Sequence, residues 1–256
     1  MGMMHPMNQQ NDTRQHDKQQ EVYQVSTMTS LLEAVYDGDF SLAHIPEHGD
    51  FGIGTFNQLD GELIGFDGAF YRLRSDGTAT PVTDQDYSPF CSLAFFETDI
   101  VHRIDAPMTS KELEEEIDRI LPSKNIFYAV RIDGSFKKVQ TRTVEKQEKP
   151  YVPMVEAVKS QPIFDFEDIQ GTIAGFRTPQ YAHGIAVSGY HLHFIDEDRS
   201  VGGHVFDYTV DQVTIRISQK RHMNLHLPNT QEFFQADIDR ADLAQQIASA
   251  ESSPDQ

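Results

Sequence analysis

One cysteine, Cys91, stands among the 256 residues, so no disulfide can form within the chain. That removes cross-linking as a source of stability and fits a reducing compartment. Cys91 falls in SPFCSLAFF, an apolar, strand-like run, where a buried thiol is expected rather than a nucleophile. Positive charge is scarce as well: 21 Lys and Arg against 40 Asp and Glu give a formal net charge of −19. Such a chain has no basic excess with which to neutralise phosphates, which argues against nucleic acid and equally against an anionic membrane surface. An anionic substrate would need a local cation, from an arginine or a metal, inside a repulsive overall field. Long apolar runs are missing too. No stretch approaches the roughly 20 apolar residues that span a bilayer. The opening MGMMHPMNQQNDTRQHDKQQ is polar throughout and lacks a signal-peptide core. A cytoplasmic location is the resulting expectation.

What is present describes a globular chain, with 38% apolar and 10% aromatic residues. Residues 1–22 and 252–256 are expected to be tails, since they bury too little to offset their ordering entropy. Between them we expect two β-rich domains, 23–150 and 151–251, the second of them metal-binding. Helices are expected over 28–36, over TSKELEEEIDRIL, over 153–160 and near 237–248. The second is the clearest: Thr109 and Glu112 form a capping box, and Leu113, Ile117, Ile120 and Leu121 make one apolar face. The rest reads as strands. Asp60-Gly61 and Asp67-Gly68 are turn signals, and Asp133-Gly134, between NIFYAVRI and SFKKVQTRTV, predicts a hairpin. Each half runs helix first and then strands, so the expected class is α+β with mixed or antiparallel sheets and few helices.

The stretch GYHLHFIDEDRSVGGHVFDY carries the chemistry. Alternate residues of a strand share a face, so His191 and His193 project together while Tyr190, Leu192 and Phe194 face the core. A hairpin centred between Asp198 and Arg199 sets His193 opposite His204, and directly opposed residues share a face. Three neutral nitrogen ligands leave positions open on a divalent metal, the pattern of a catalytic zinc site rather than a closed structural one. His222 and His226, by contrast, have no convergent partner and are expected at or near the surface.

At these residues the sequence resembles the α-acetolactate decarboxylase family. The resemblance runs from about Val25 to Pro254. It includes GDFGIGTFNQLDGELIGFDGAFYRL, VRIDGSFKKVQTRTVEKQEKPY, GTIAGFRTP and the histidine segment. It implies zinc (Zn2+) held by His191, His193 and His204. It also implies catalytic roles for Glu62, in the LDGE turn, for Arg142, in VQTRTV, and for Glu251 near the C-terminus, with Thr55 and Arg142 contacting the substrate. The implied reaction is decarboxylation of 2-acetolactate to (R)-acetoin and carbon dioxide, through an enediolate stabilised by the metal, within acetoin and butanediol fermentation. The family further implies a homodimer. The chemistry suits the residues, because Arg142 offers a planar fork for a carboxylate and Glu62 can supply a proton. Two other readings remain at this stage. One is a cupin-like oxygenase or isomerase using His191, His193, Glu197 and a later histidine; the other is a non-catalytic, metal-stabilised binding module.

Overall fold

The computed structural model describes residues 18–239, 242 and 245–247. Its strands are β1 (Glu21–Val25), β2 (Phe40–Ser41), β3 (Phe51–Thr55), β4 (Glu62–Phe66), β5 (Ala69–Leu73), β6 (Ala79–Pro81), β7 (Tyr87–Ser88) and β8 (Phe90–Ala94). They continue as β9 (Ile100–Ile104), β10 (Met108–Thr109), β11 (Phe127–Arg142), β12 (Ile163–Thr178), β13 (Gly189–Asp196), β14 (Gly202–Lys220) and β15 (His222–His226). The helices are short: α1 (Met28–Leu32), α2 (Ile45–His48), α3 (Ser110–Ile120), α4 (Met154–Ala157) and α5 (Gln231–Gln235). This is the α+β class expected, β-rich with few helices. None of these helices is long and apolar enough to cross a membrane.

The first sheet has the order β15-β1-β8-β3-β4-β5-β6, and the second β10-β14-β11-β12-β13 with β9 added on β14. The second sheet curls until β13 also hydrogen-bonds β14. Both sheets draw strands from either side of residue 150: β15 pairs with β1, and β11 pairs with β12 and β14. On one face of the second sheet lies α3, whose Leu113 and Ile117 pack with Val130, Ile132, Phe194 and Ile215. Its capping box is present, Thr109 N–H donating to the Glu112 carboxylate at 2.9 Å. Towards the first sheet, Phe51, Ile53 and Ile64 join Ala129, Ala174 and Ile195 in a second apolar layer. His191, His193 and His204 project into the region between the sheets, and the two layers fix how those sheets meet.

Several expectations give way to the structure. No hairpin forms at Asp133-Gly134; β11 runs straight through both residues, pairing them with Thr172 and Gly171 on one side and Thr214 and Val213 on the other. The Asp133 carboxylate, which a turn would expose, instead accepts from Arg131, Arg216 and Thr172. Gly134 is needed because the strands approach closely: a Cβ there would lie 2.2 Å from the Gln212 carbonyl oxygen, and its φ is +148°. The turn at Asp67-Gly68 does form, with φ of 54° and 76°, the left-handed pair of a tight hairpin. Helix α1 stops at Leu32, short of the expected Tyr36, because Ala34 turns left-handed (φ 63°) and the Tyr36 hydroxyl is drawn to the Val152 carbonyl at 2.9 Å. The segment 153–160 is α4 followed by a 3-10 turn. In the C-terminal stretch α5 was not anticipated; within 237–248 the described residues 245–247 are helical, and 240, 241, 243, 244 and 248 lie outside the described residues. Of the expected tails, 1–17 and 252–256 lie outside the described residues, whereas Glu21 and Val22 open β1.

Replacing Gly134 by Val should therefore cost about 2–4 kcal/mol, from backbone strain and the clash with the neighbouring strand. Urea denaturation followed by circular dichroism measures this; an unchanged midpoint would mean that the strands can part at Gly134 without penalty.

Candidate metal centre

Strand β13 separates its side chains as alternation requires. Leu192 and Phe194 enter the core beneath α3, while His191 and His193 face the other way. The Asp196 carboxylate closes the following turn, accepting the Ser200 and Val201 N–H groups at 2.7 and 3.0 Å. The chain then returns with His193 directly opposite His204, the register expected from a turn centred between Asp198 and Arg199. Gly202 permits the close return, since a Cβ there would sit 2.1 Å from the Phe194 carbonyl oxygen. The three imidazoles bring one ligand atom each within 4.8 Å of the others.

These imidazoles are set up as ligands. His193 is fully buried, and its Nδ1–H donates to the Leu63 carbonyl of β4, 2.8 Å away across the gap between sheets. That bond fixes the tautomer and leaves the Nε2 lone pair facing the cluster. Nε2 is buried and makes no hydrogen bond among the described residues. Burial, and after it the Arg142 charge, lowers the pKa of His191 to about 3. Burial likewise drives His193 and His204 well below the ordinary histidine range, with neighbouring His191 and Arg142 acting in the same sense. All three are neutral at pH 7, as metal ligation requires. A buried acceptor with no donor among the described residues, beside two more neutral nitrogens, fits a divalent metal with open coordination positions.

The other candidates gather around this triad. Arg142 lies directly across from His204 in the β11–β14 register and is 2% exposed. Its Nη1 donates to Gln161 Oε1 at 2.9 Å, and the guanidinium lies 4.7 Å from the centre of the Phe206 ring. Glu62 opens β4, and its Oε2 is 3.7 Å from His193 Nε2. Thr55 sits opposite Glu62 on β3, its hydroxyl donating to the Gly61 carbonyl at 2.8 Å. Thr55, Glu62, Arg142, His191 and His204 line one narrow cleft, walled by Met28, Leu31, Leu59, Phe90, Val144 and Met154. Glu251 lies outside the described residues. Glu197 is exposed in the β13–β14 turn, away from the triad, which removes the cupin-type ligand set. His222 and His226 lie on β15 and join no metal-ligand group among the described residues.

Sequence reasoning missed the Leu63 carbonyl, Gln161 and Phe206. The first acts across two sheets and leaves no local pattern. Gln161 becomes visible only with the β11–β12 register, which sets Arg142 against Ile163, two residues further on.

A β-rich fold built on two large sheets, with three convergent neutral imidazoles and a buried arginine between them, defines a centre able to hold a metal and receive a small anion. Residues 22–240 match the family model described as alpha-acetolactate decarboxylase. The alpha-acetolactate decarboxylase of Bacillus subtilis (strain 168) is 68% identical over 235 residues, covering 92% of this chain and 92% of that protein. That of Klebsiella aerogenes is 41% identical over 231 residues, covering 90% and 89%. A crystal structure of the Bacillus subtilis strain 168 enzyme superposes with a TM-score of 0.90 at 69% identity, covering 91% of this chain and 100% of that one. The chain belongs to the alpha-acetolactate decarboxylase family. Its activity is that of an acetolactate decarboxylase, a carboxy-lyase acting on a small molecule.

The lowered histidine pKa values carry a stability consequence. Each group is neutral in the folded state and protonates near pH 6.5 when unfolded, so its contribution is present above that pH. It is lost as pH falls from about 6.5 towards the folded values, about 3 for His191. Metal-free protein should accordingly melt progressively lower between pH 7 and pH 4, and His193→Ala should flatten part of that slope. A melting temperature independent of pH across that window would contradict the buried, neutral state of the triad.

Proposed function

We propose that the chain decarboxylates 2-acetolactate at a zinc centre held by His191, His193 and His204. Arg142 binds the carboxylate, Glu62 handles the proton, and an enediolate is the intermediate. The observation that carries this reading is His193, locked by the Leu63 carbonyl, its buried Nε2 without a hydrogen bond among the described residues and 3.7 Å from the Glu62 carboxylate. Bound zinc would supply Lewis-acid stabilisation for the negative charge that develops on the substrate oxygens.

The chain's own residues handle the remaining demands. Loss of carbon dioxide from a β-keto acid leaves the bonding electron pair in an enediolate, whose carbon must then take up a proton. Arg142, buried beside His204, supplies the local cation that an anionic substrate needs in a chain of net charge −19. Glu62 is close enough to the triad to deliver the proton to one face of the enediolate. With its hydroxyl proton committed to Gly61, Thr55 keeps oxygen lone pairs for a substrate hydroxyl. Met28, Leu31, Leu59 and Phe90 keep the cleft poor in water, which strengthens each of these interactions. Ile247 is buried against Met28 and Leu31, so Glu251, four residues on, has at most about 14 Å of chain with which to reach the same cleft. That supports a share for Glu251 in the proton chemistry. A homodimer in the cytoplasm completes the proposal; Leu225, Leu227 and Phe234, exposed on and after edge strand β15, offer apolar surface for a second copy.

Glu62→Gln tests the assignment. It should leave bound zinc near one equivalent per chain and lower kcat by about 10²–10⁴-fold, the usual weight of a positioned acid or base. Zinc content and turnover are measured on one preparation. Full activity with full zinc would remove Glu62 from the reaction.

A further inference from the structure

We propose that Gln161 is the positioning residue for Arg142, holding the guanidinium towards the substrate carboxylate. This rests on the reading of Arg142 as the carboxylate partner.

Arginine carries a long side chain with several freely rotating bonds, so a buried one that must meet an anion in a set geometry needs anchoring. Among the contacts of Arg142 with described residues, two restrain its guanidinium. The Phe206 ring, 4.7 Å from the guanidinium carbon, restrains the face of the group. The Gln161 side-chain carbonyl, accepting from Nη1 at 2.9 Å, fixes rotation within the plane. Gln161 is itself held in place. It follows the 3-10 turn Val158–Ser160, and its N–H donates to the Val158 carbonyl at 3.4 Å. Two residues later Ile163 pairs with Arg142 in the β11–β12 ladder. The ladder that places Arg142 thus also delivers its anchor.

The acceptor's chemistry matters as much as its position. A glutamate at 161 would make a stronger, charge-assisted bond to the same nitrogen. It would also bring a formal negative charge into a desolvated cleft that has to admit an anion, and like charges there repel strongly. An amide orients the guanidinium without that opposition. In a chain with 40 acidic and 21 basic residues, and with Glu62 lining the same cleft, a neutral acceptor at this point adds no further negative charge beside Arg142. Orientation fixed before binding also reduces the entropy lost when the carboxylate docks. The contribution belongs to substrate affinity, because the carboxylate carries its charge in the bound substrate and passes it to the enediolate as neutral carbon dioxide leaves, so the pairing is not strengthened in the transition state.

The experiment compares Gln161→Leu and Gln161→Glu with the wild-type metal-loaded protein. It measures KM and kcat for acetolactate, the inhibition constant of acetoin, zinc content and melting temperature. Acetoin lacks the carboxylate and reports the rest of the cleft. Gln161→Leu should raise KM about tenfold with kcat within about twofold, the signature of lost uniform binding. Acetoin inhibition and zinc content should stay as in the wild type. Gln161→Glu, almost the same shape, should raise KM at least as far without lowering the melting temperature. Wild-type KM in both variants would overturn the proposal. So would acetoin inhibition that weakens in step with KM, since that marks general damage to the cleft. Arg142→Ala is the companion variant. If it keeps the wild-type KM, the carboxylate reading of Arg142 is itself wrong; if it raises KM while both Gln161 variants do not, only the role of Gln161 falls.

Discussion

The hydrogen bond from His193 Nδ1 to the Leu63 carbonyl ties the site to the fold. It joins β13 of the second sheet to β4 of the first, so the relative placement of the sheets and the tautomer of the His193 imidazole are set together. Leu63 adjoins Glu62, so the residue that orients the imidazole also carries the neighbouring carboxylate to it. Were the sheets to slide by one residue, a different group would face His193, because successive carbonyls of a strand point to opposite sides. The apolar layer of Phe51, Ile53, Ile64, Ala129, Ala174 and Ile195 holds that register. Packing between the sheets thus acts directly on the chemistry.

Charge is arranged on the same principle. The chain is strongly acidic, yet its cleft holds Arg142, 2% exposed, among three imidazoles kept neutral by burial. The imidazoles are neutral, and the Arg142 guanidinium and the Glu62 carboxylate are the ionisable groups among the described residues that face them from the cleft.

Much of the centre was legible in the sequence because strand geometry is local. Alternation put His191 and His193 on one face, and a symmetric turn put His204 opposite His193; both follow from a two-residue period. The capping box of α3 and the left-handed pair at Asp67-Gly68 were legible for the same reason. What failed was context. Asp133-Gly134 has the composition of a turn, but three donors to Asp133 and pairing on both sides keep β11 straight through it. Helix α1 ended early through the backbone at Ala34 and a contact from Tyr36 to a residue more than a hundred positions away. The Leu63 carbonyl, Gln161 and Phe206 all act through tertiary neighbours, and no spacing rule along the chain announces them.

The central claim is that acetolactate loses carbon dioxide at the three-histidine centre and nowhere else in the molecule. The most direct measurement incubates the purified protein with racemic acetolactate, with and without a chelator, and follows acetoin by chiral chromatography. The account predicts rapid formation of (R)-acetoin, its loss on chelation and its return on adding zinc. Acetoin formed at an undiminished rate by protein shown to be metal-free would contradict it.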